Sequence, residues 1–387
     1  MNPIRTLYLH IPFCERKCEY CDFTSVAGTR GEHEYMGALD REVRLLAQRG
    51  GAAELDSVFV GGGTPSLVDP ELLAGVLATV GEHFHLAPGA EITLEANPSS
   101  TTRERAEVWR RAGFNRVSIG VQSLEPDILA FLGRVHDAPR ALSAVAEVRD
   151  AGFDSVNCDL IYAVPGLDDA RWRHTLTRVL ESEPDHVSCY ELTVEPGTPL
   201  HTSVRRGRVS PADAEVALAQ HAIALDVLER AGYGQYEVSN FARPGGACRH
   251  NLAYWHNAYY LAAGVGAHGH VPAALAASLL EVDAEDAVAV RYRHGRGIAA
   301  YAAAVTRGEL PVTEHELISS AEHEQERLML GLRLRQGITL TDAAVRREAS
   351  VLASSGLLTL AGDVARVTRA GEAVLNAVTL RLALALS

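Results

Sequence analysis

The sequence predicts an α/β protein made of six consecutive strand–helix units, followed by a mainly helical, winged-helix-like C-terminal domain. Two observations carry this prediction. Over the first half of the chain, short apolar runs with strand-like periodicity alternate with amphipathic, helix-like segments. From about Ala321 the predicted order changes to two helices, a short hairpin and a last helix, which is similar to a winged helix.

The strand-like runs define the first domain. They are TLYLHI (6–11), SVFVGG (57–62), EITLEA (91–96), RVSIGV (116–121), SVNCDLIY (155–162) and HVSCYELTV (186–194). Segments such as EYMGALDREVRLLAQ and RERAEVWRRAG have helical periodicity and lie between them. We therefore predict a strand–helix domain over residues 1–235, a connecting segment over 236–300 and a C-terminal domain over 301–387.

Composition limits the possible partners. The chain has 387 residues, 47% of them hydrophobic and 22% charged, as in globular proteins of two or three domains. Its net charge of −13, with no basic block, argues against binding nucleic acid through phosphate contacts. No run of 18 apolar residues and no signal-peptide pattern is present. We expect a cytoplasmic protein that binds no nucleic acid and is not itself a membrane protein.

Three of the six cysteines lie together in HIPFCERKCEYCDFTS, as Cys14, Cys18 and Cys21. Thiolates at this C-x3-C-x2-C spacing can converge on one point, and they suit an iron–sulfur cluster or zinc. A structural zinc site needs a fourth ligand. His10 falls in a predicted strand and Asp22 is a poor partner for thiolates. Three cysteines on a cubane cluster instead leave one iron open to a small molecule.

The cysteine spacing, with Tyr20 directly before Cys21, resembles the radical S-adenosylmethionine (SAM) superfamily. This resemblance implies a [4Fe–4S] cluster whose open iron binds the methionine moiety of SAM. It also implies that the six units form a partial (β/α)6 radical SAM barrel, with the helix near 211–232 in its outer ring. Barrels of parallel strands carry their chemistry at the carboxyl ends of the strands.

Polar residues follow the predicted strands at those ends. The second strand ends in GGGTPS, where glycines allow close approach of the backbone and free N–H groups could meet a carboxylate or an amine. Taken alone, this stretch is better explained as a tight strand-to-helix turn. Further polar residues at or after the later strands are Glu95, Asn97, Gln122, Arg134 and Asp159. Any one of them could be structural, but their equivalent positions favour a binding site.

Seven motifs resemble, in order, those of the oxygen-independent coproporphyrinogen III oxidase family. They are YLHIPFC, GGGTPS, ITLEANP, SIGVQS, LGRVH, DLIYAVPG and YELTVEPGTPL. The resemblance covers residues 4–200, with further similarity to near the C-terminus. The resemblance implies that Cys14, Cys18 and Cys21 are the cluster ligands. The SAM contacts that it implies are Tyr8, Tyr20, Gly62, Gly63, Thr64, Glu95, Gln122, Arg134 and Asp159, with Tyr190 as a further candidate.

Two departures separate the sequence from the oxidases themselves. The oxidases have a further cysteine where this chain has Phe23, and they carry a long extension before the first cysteine. Both departures resemble the HemW branch, whose members bind heme and pass it to hemoproteins. The implied partners are heme and acceptor hemoproteins, with membrane-bound respiratory enzymes as candidates.

The stretch CRHNLAYWHNAYY (248–260) is similar to the H-N-x-x-Y-W motif of that branch. His250 is the candidate iron ligand, Tyr254 and Trp255 could stack on a porphyrin, and Cys248 could form a thioether. Packing groups with this spacing are the plainer interpretation. In GVGAHGH, just downstream, His268 and His270 are competing ligands.

The sequence therefore predicts a heme chaperone that carries a SAM-ligated [4Fe–4S] cluster. Three alternatives stay open at this point: an oxygen-independent coproporphyrinogen III oxidase, another radical SAM enzyme that acts on a tetrapyrrole, and a zinc-binding structural protein. Whether SAM is cleaved, and so whether the protein is an enzyme, is left undecided. In so acidic a chain we expect the winged-helix-like domain to contact protein or to act as a lid rather than to bind DNA.

Overall fold

The computed structural model describes residues 4–51 and 53–386. Its strands are β1 (Thr6–Ile11), β2 (Phe13–Cys14), β3 (Val26–Ala27), β4 (Glu54–Gly62), β5 (His85–Ala96), β6 (Arg116–Gln122), β7 (Ser155–Tyr162), β8 (His186–Glu191), β9 (Gly234–Gln235), β10 (Asn240–Ala242), β11 (Leu261–Ala263), β12 (His268–Pro272), β13 (Ala289–His294), β14 (Val312–Ile318), β15 (Ile338–Thr339), β16 (Leu358–Ala361) and β17 (Val364–Val367).

Its helices are α1 (Glu32–Gly50), α2 (Pro70–His83), α3 (Arg103–Ala112), α4 (Pro126–Phe131), α5 (Ala138–Asp150), α6 (Asp169–Leu180), α7 (Pro199–Arg205), α8 (Ala214–Arg230), α9 (Arg249–Trp255), α10 (Ala273–Leu280), α11 (Ile298–Thr306), α12 (Ser320–Gly331), α13 (Ala343–Ser354), α14 (Arg369–Glu372) and α15 (Leu375–Leu384). None of the helices in the described part of the chain combines the length and the apolar character that crossing a bilayer requires.

The predicted strand–helix units form the main sheet. Nine strands lie in the order β11-β1-β4-β5-β6-β7-β8-β10-β9, and the run from β1 to β8 is parallel throughout. These six central strands are the six that the sequence predicts, so the α/β class is confirmed. Parallel neighbours need long crossover connections, which helices α1 to α6 supply. The carboxyl ends of all six strands therefore lie at one rim.

Helices of the outer layer begin where the sequence carries capping residues. Asp137 accepts the Arg140 N–H at 2.9 Å before α5, and Asp168 accepts the Arg171 N–H at 2.9 Å before α6. On the inner sides of α3 and α6, Trp109 and Trp172 are fully buried in the core. Burying such side chains fixes each helix on the sheet and so fixes the loops at the rim.

The segment 236–300 differs from the connection that the sequence predicts. Within it, β10 pairs antiparallel with β8, and β11 pairs parallel with β1, so the segment extends the sheet at both sides. A small antiparallel sheet of β12, β13 and β14 follows. Strands of three residues are too short to show a periodic pattern, which is why the sequence did not reveal them.

The C-terminal part has its own hydrophobic core, built from residues between Leu328 and Leu382. Helices α12, α13 and α15 surround a three-stranded sheet in the order β15-β17-β16, which agrees with the winged-helix-like prediction. The predicted boundary at 301 lies too early for this core. Tyr301 on α11 packs in the first core, where its hydroxyl donates to the buried Glu42 at 2.5 Å.

Candidate active site

The rim of the main sheet opens on one cavity of about 610 Å³. Each of the predicted cluster ligands and SAM contacts lies in its wall, and so do Tyr190 and His250. The volume falls within the range of about 300–1,000 Å³ typical of ligand sites. The structure therefore brings together, at one place, predicted site residues that are as far apart in the sequence as Tyr8 and His250.

The cysteine loop leaves the barrel after β1. Cys14 ends β2, and the short parallel pair of β2 and β3 closes the loop through the Gly28 N–H bond to the Cys14 carbonyl (2.8 Å). The Thr64 hydroxyl donates to Cys14 Sγ at 3.6 Å, and Arg134 Nη1 donates to Cys18 Sγ at 3.4 Å. Burial raises the pKa of the Cys14 thiol and raises that of Cys21 to about 11. These thiols hold their protons until a metal displaces them.

The donor set fits a [4Fe–4S] cluster better than one zinc ion. Among the described residues, the three cysteine sulfurs do not form a group in which all ligand atoms lie within 4.8 Å of one another. Sulfurs that share a tetrahedral zinc at about 2.3 Å would be under 4 Å apart. His10 is not free to be a fourth ligand, since its Nε2 bonds the Thr24 carbonyl at 2.8 Å and its Nδ1 bonds the Tyr8 hydroxyl at 3.1 Å.

The turn after β4 corrects one expectation. Its N–H groups are not free: Gly62 donates to Glu95 Oε2 at 2.9 Å, and Gly63 and Thr64 donate to the Ile11 and Phe13 carbonyls, both at 2.7 Å. The glycines are needed for contact within the protein. A Cβ on Gly63 would lie 2.8 Å from the Phe13 carbonyl oxygen. This turn therefore supports the cysteine loop, and no N–H of residues 62–64 is left to meet a ligand carboxylate.

Two carboxyl groups lie in the cavity wall at the ends of β5 and β7. Burial raises the pKa of Glu95 to about 7 and also raises that of Asp159. The Ser118 hydroxyl and the Asn157 amide donate to Asp159 at 2.9 and 2.8 Å. Because a nearby cation favours the ionised form of a buried acid, this wall suits a ligand with positively charged groups. SAM carries a sulfonium and an ammonium group.

Arg134 is a cation of the cavity wall that contacts the cysteine loop. Its guanidinium donates to the Gly120 carbonyl at 2.9 Å and to the Asn97 amide oxygen, besides its contact with Cys18. Its Nε is buried without a partner in the described structure. Gln122 beside it has the left-handed φ of 64°, which turns the chain at the end of β6. An anionic ligand group here would meet a fixed positive charge.

His250 lies in the cavity wall but is closely held. It is 1% exposed, its Nδ1 lies 3.1 Å from the Ser57 hydroxyl, and its Nε2 lies 2.9 Å from the Tyr254 hydroxyl. Burial lowers the pKa of its imidazole to about 3, so the ring is neutral. Its role as an iron ligand stays a prediction, and ligation would require one of these hydrogen bonds to open.

The other candidate residues of the stretch 248–260 differ in whether they reach the cavity. Cys248 and Tyr254 reach the cavity, but Trp255 is not in its wall. The Cys248 thiol donates to Glu91 at 3.3 Å, and burial raises its pKa to about 12. His268 lies in a smaller neighbouring cavity of about 380 Å³. His270 is buried and belongs to neither cavity wall.

Sequence reasoning missed a row of polar side chains across the barrel interior. Ser118, Asn157 and His186 stand at paired positions of β6, β7 and β8, and all three reach the cavity. Asn157 Oδ1 and His186 Nδ1 are 2.6 Å apart. The signal was the presence of polar residues within three strand-like runs, Ser118 in RVSIG, Asn157 in SVNCDL and His186 in HVSCY. Without the strand register these positions could not be aligned.

Comparison with known proteins identifies the family. The family model described as "Radical SAM superfamily" matches residues 8–179. A protein named heme chaperone HemW from Mycobacterium tuberculosis is 39% identical over 378 residues, which cover 96% of this chain and 93% of that protein. The chain belongs to the HemW family of the radical SAM superfamily. The family resemblance read from the motifs is thereby confirmed.

Other relatives also match over most of their length. Heme chaperone HemW of Bacillus subtilis is 30% identical over 338 residues, covering 87% of this chain and 85% of that one. Radical S-adenosyl methionine domain-containing protein 1, mitochondrial, of Bos taurus is 37% identical over 401 residues, with coverage of 97% and 86%. The structure of coproporphyrinogen III oxidase (HemN) from Escherichia coli superposes with a TM-score of 0.79 over 98% of this chain and 90% of that one. At 20% identity, it shows the fold alone.

Proposed function

We propose that this HemW protein is a heme chaperone, which binds heme, passes it to hemoproteins and carries a SAM-ligated [4Fe–4S] cluster. The observation that supports it most is the match to heme chaperones over nearly the whole chain, 96% of it for the mycobacterial relative. The likeness to the Escherichia coli oxidase, at 20% identity, favours no second function.

In this proposal the cluster is held by Cys14, Cys18 and Cys21. When bound, the cluster supplies an electron and an open iron for SAM. Glu95 and Asp159 accept hydrogen bonds from the cationic and hydroxyl groups of SAM, and Arg134 donates to its carboxylate. The raised pKa of Glu95 and Asp159 and the unpartnered Nε of Arg134 support this division of roles.

We propose His250 as the heme ligand on the same cavity. The support is its position in the wall and its neutral ring, since a neutral imidazole is the form that binds a metal. Release of the Tyr254 hydroxyl would free Nε2 for iron, and Tyr254 would remain beside the porphyrin as a flat apolar surface. The arrangement in which His250 Nε2 bonds the Tyr254 hydroxyl would then belong to the heme-free protein.

The acceptors are proposed to be hemoproteins, with membrane-bound respiratory enzymes as candidates. The C-terminal domain offers a surface for such contacts, since it exposes apolar side chains. They are Val351, Leu360, Val374 and Leu380, each 39 to 59% exposed. A cytoplasmic location is supported by the cysteines, because all six are unpaired thiols, as expected in a reducing compartment.

The test combines two assays on anaerobically reconstituted protein. We expect about four irons and four sulfides per chain, heme binding with a stoichiometry of about one, and no conversion of coproporphyrinogen when SAM and a reductant are supplied. A Cys18→Ser variant should lose the cluster absorbance, keep its far-UV spectrum and still bind heme. Steady formation of protoporphyrinogen by the wild-type protein would contradict the chaperone assignment and favour the oxidase.

Phe23 offers a second test of chaperone against oxidase. It stands where the oxidases carry a further cysteine, it reaches the cavity wall, and it is 61% exposed. If this position separated the two activities by itself, Phe23→Cys would gain oxidase activity. We expect no gain, because the exposed Phe23 is one of many differences from a protein that is only 20% identical.

A further inference from the structure

A cluster of metal-ligating side chains lies outside the cavity, where the small antiparallel sheet meets the C-terminal domain. It consists of His270 on β12 and of His323 and Glu326 on α12. One ligand atom from each residue lies within 4.8 Å of the other two. His323 and Glu326 are three positions apart on a helix, so they stand on the same face.

His270 is prepared as a ligand. It is 2% exposed, and its Nδ1 lies 3.2 Å from the Ala258 carbonyl, to which it donates. Its Nε2 is buried without a partner in the described structure. A buried polar atom without a partner is unfavourable, so a metal ion bound to Nε2 would remove an energetic cost. A metal-bound histidine typically donates its other N–H to a carbonyl, as His270 does.

Glu326 is held in place by hydrogen bonds to its neighbours. Arg291 Nη2 bonds Glu326 Oε1 at 2.5 Å, and in the described structure Oε2 carries no ion pair. The same guanidinium also bonds Glu316 at 2.7 Å, so two carboxylates compensate its charge. The Asn257 amide lies 3.4 Å from His323 Nδ1 and 3.5 Å from Glu326 Oε2, at the open side of the cluster. These distances are long for hydrogen bonds, as expected if Asn257 only partly satisfies the ligand atoms.

We propose that His270, His323 and Glu326 bind a divalent transition-metal ion, with zinc as the ion of choice. Two imidazoles and one carboxylate form a known ligand set for zinc. Magnesium and calcium bind oxygen ligands, so a site with two imidazole nitrogens does not suit them. In the ordinary order of affinities zinc binds such a site more tightly than ferrous iron. No residue of the iron–sulfur site takes part.

The ion would join two parts of the molecule, the small antiparallel sheet and the C-terminal domain. His270 belongs to β12, the two other ligands belong to the first helix of the C-terminal domain, and Asn257 follows α9, which carries His250. Asn257 has a left-handed φ of 52°, which asparagine tolerates and which aims its short side chain at the cluster. The bound ion would therefore clamp the C-terminal domain to the small antiparallel sheet.

The test is a zinc titration of the protein with its iron–sulfur cluster already loaded, so that the cysteines are occupied. We expect one zinc per chain by calorimetry, competed by a chromophoric chelator. His270→Gln and His323→Gln should weaken zinc binding by at least about 100-fold, since losing even an outer partner of a ligand costs 10–100-fold. The matched control is His268→Gln, on the same strand and outside the cluster, which should bind zinc as the wild type does.

Hydrogen exchange of the wild-type protein gives a measurement that needs no variant. Zinc should slow exchange in α12 and in the bridge between Tyr260 and His270, and should leave the cavity strands unchanged. Failure of the loaded wild type to bind zinc would overturn the proposal. Equal zinc affinity in His270→Gln and wild type, or protection at another place, would overturn it as well. None of these outcomes depends on heme binding.

Discussion

At Glu95 and Asp159 the environment changes the chemistry of the side chain. Both are acids whose pKa burial raises, and both face a cavity that the proposed function fills with a cationic ligand. The free energy needed to ionise them in the empty cavity is recovered when a cation binds. SAM affinity should therefore depend on pH through these groups.

The first prediction concerns this pH dependence. With the pKa of Glu95 at about 7 in the empty protein, the group is mostly ionised at pH 8 and mostly protonated at pH 6. Because the ionised form binds the cation, SAM affinity should fall by about tenfold between pH 8 and pH 6. Glu95→Gln should bind SAM weakly and without this dependence. Calorimetry on cluster-loaded protein measures both.

The exposed Glu191, at the end of β8 in the same cavity wall, supplies the control. Glu191→Gln should keep the wild-type pH dependence. A Glu95→Gln variant that still loses tenfold affinity on acidification would show that another group controls SAM binding.

A second prediction removes the neighbouring acid. Asp159→Ala removes a carboxylate that accepts hydrogen bonds from Ser118 and Asn157. The protein should still fold, because the backbone pairing of β7 with β8 does not depend on this side chain. We expect SAM binding to weaken by about 1.5–3 kcal/mol, the range for a hydrogen bond to a charged group. Unchanged affinity in both Asp159→Ala and Glu95→Ala would mean that the proposed SAM contacts are wrong at these positions.

A third prediction concerns the heme ligand. An axial imidazole sets the ligand field of the iron, so His250→Ala should shift the Soret band and speed heme loss. Its iron–sulfur content should stay at the wild-type level, because His250 contacts Ser57 and Tyr254 rather than the cysteine loop. An unchanged heme spectrum would move the ligand to another residue, with His268 in the neighbouring cavity as the next one to replace.

At this scale the sequence was informative where a residue belongs to a motif. The cysteines, Glu95, Arg134 and Asp159 all reach one cavity as predicted. Ser118, Asn157 and His186 were missed because their common position depends on strand register. The N–H groups of residues 62–64 bond Glu95 and the backbone of Ile11 and Phe13, which local sequence does not show because it does not reveal what lies opposite a turn.

At the scale of elements, β4 and the cysteine loop depend on each other. The turn after β4 donates two backbone hydrogen bonds to the segment from Ile11 to Phe13, directly before Cys14. A side chain on Gly63 would push this backbone away, since its Cβ would lie 2.8 Å from the Phe13 carbonyl and 2.9 Å from that of Ile11. The position of the cysteines is therefore set by packing of the neighbouring turn.

The fourth prediction follows from this contact. Gly63→Ala should destabilise the protein by about 1–3 kcal/mol, as overpacking does, and should lower the iron content after reconstitution. The control is Gly75→Ala in α2, where an added Cβ would meet nothing within 4 Å. That change should stabilise the protein by about 0.5–1 kcal/mol through helix propensity and leave the iron content unchanged. Full iron content in Gly63→Ala would refute the packing argument.

Element prediction succeeded where a strand carries a continuous apolar pattern of about six residues or more. The strand predicted at 155–162 agrees with β7 at both ends, and the one at 6–11 agrees with β1. β5 begins at His85, six residues before the predicted start at 91, because its first half is less apolar and lies at the exposed end. β10 and β11 are held by partners that are distant in sequence, such as Leu7 for Leu261, and no local pattern encodes that pairing.

For the whole molecule, the important feature is the presence of two hydrophobic cores. The first runs from Ile4 to Val305 and the second from Leu328 to Leu382. The predicted boundary at 301 came from a change in the order of elements, whereas the cores separate later because α11 packs against α1 and β14 pairs with β13. Membership of a core is a tertiary property that composition along the chain does not reveal.

The fifth prediction uses this separation. Leu352 on α13 is 1% exposed in the second core, so Leu352→Ala should destabilise that core by about 2–5 kcal/mol. Limited proteolysis should then cut within 319–386, while iron content and SAM affinity stay as in the wild type. Leu176→Ala, in the first core, is the matched change and should reduce iron retention as well. Loss of the cluster in Leu352→Ala would show that the two cores are one cooperative unit.

The measurement that tests the central claim most directly is heme transfer to an acceptor. Heme-loaded protein is mixed with increasing amounts of the apo form of a respiratory heme protein, with apomyoglobin as the unrelated acceptor. A chaperone that hands heme over in a complex should give a transfer rate that rises with the concentration of the respiratory acceptor, above the rate with apomyoglobin. A rate that is the same for both acceptors and independent of their concentration would reflect simple dissociation and would contradict the account.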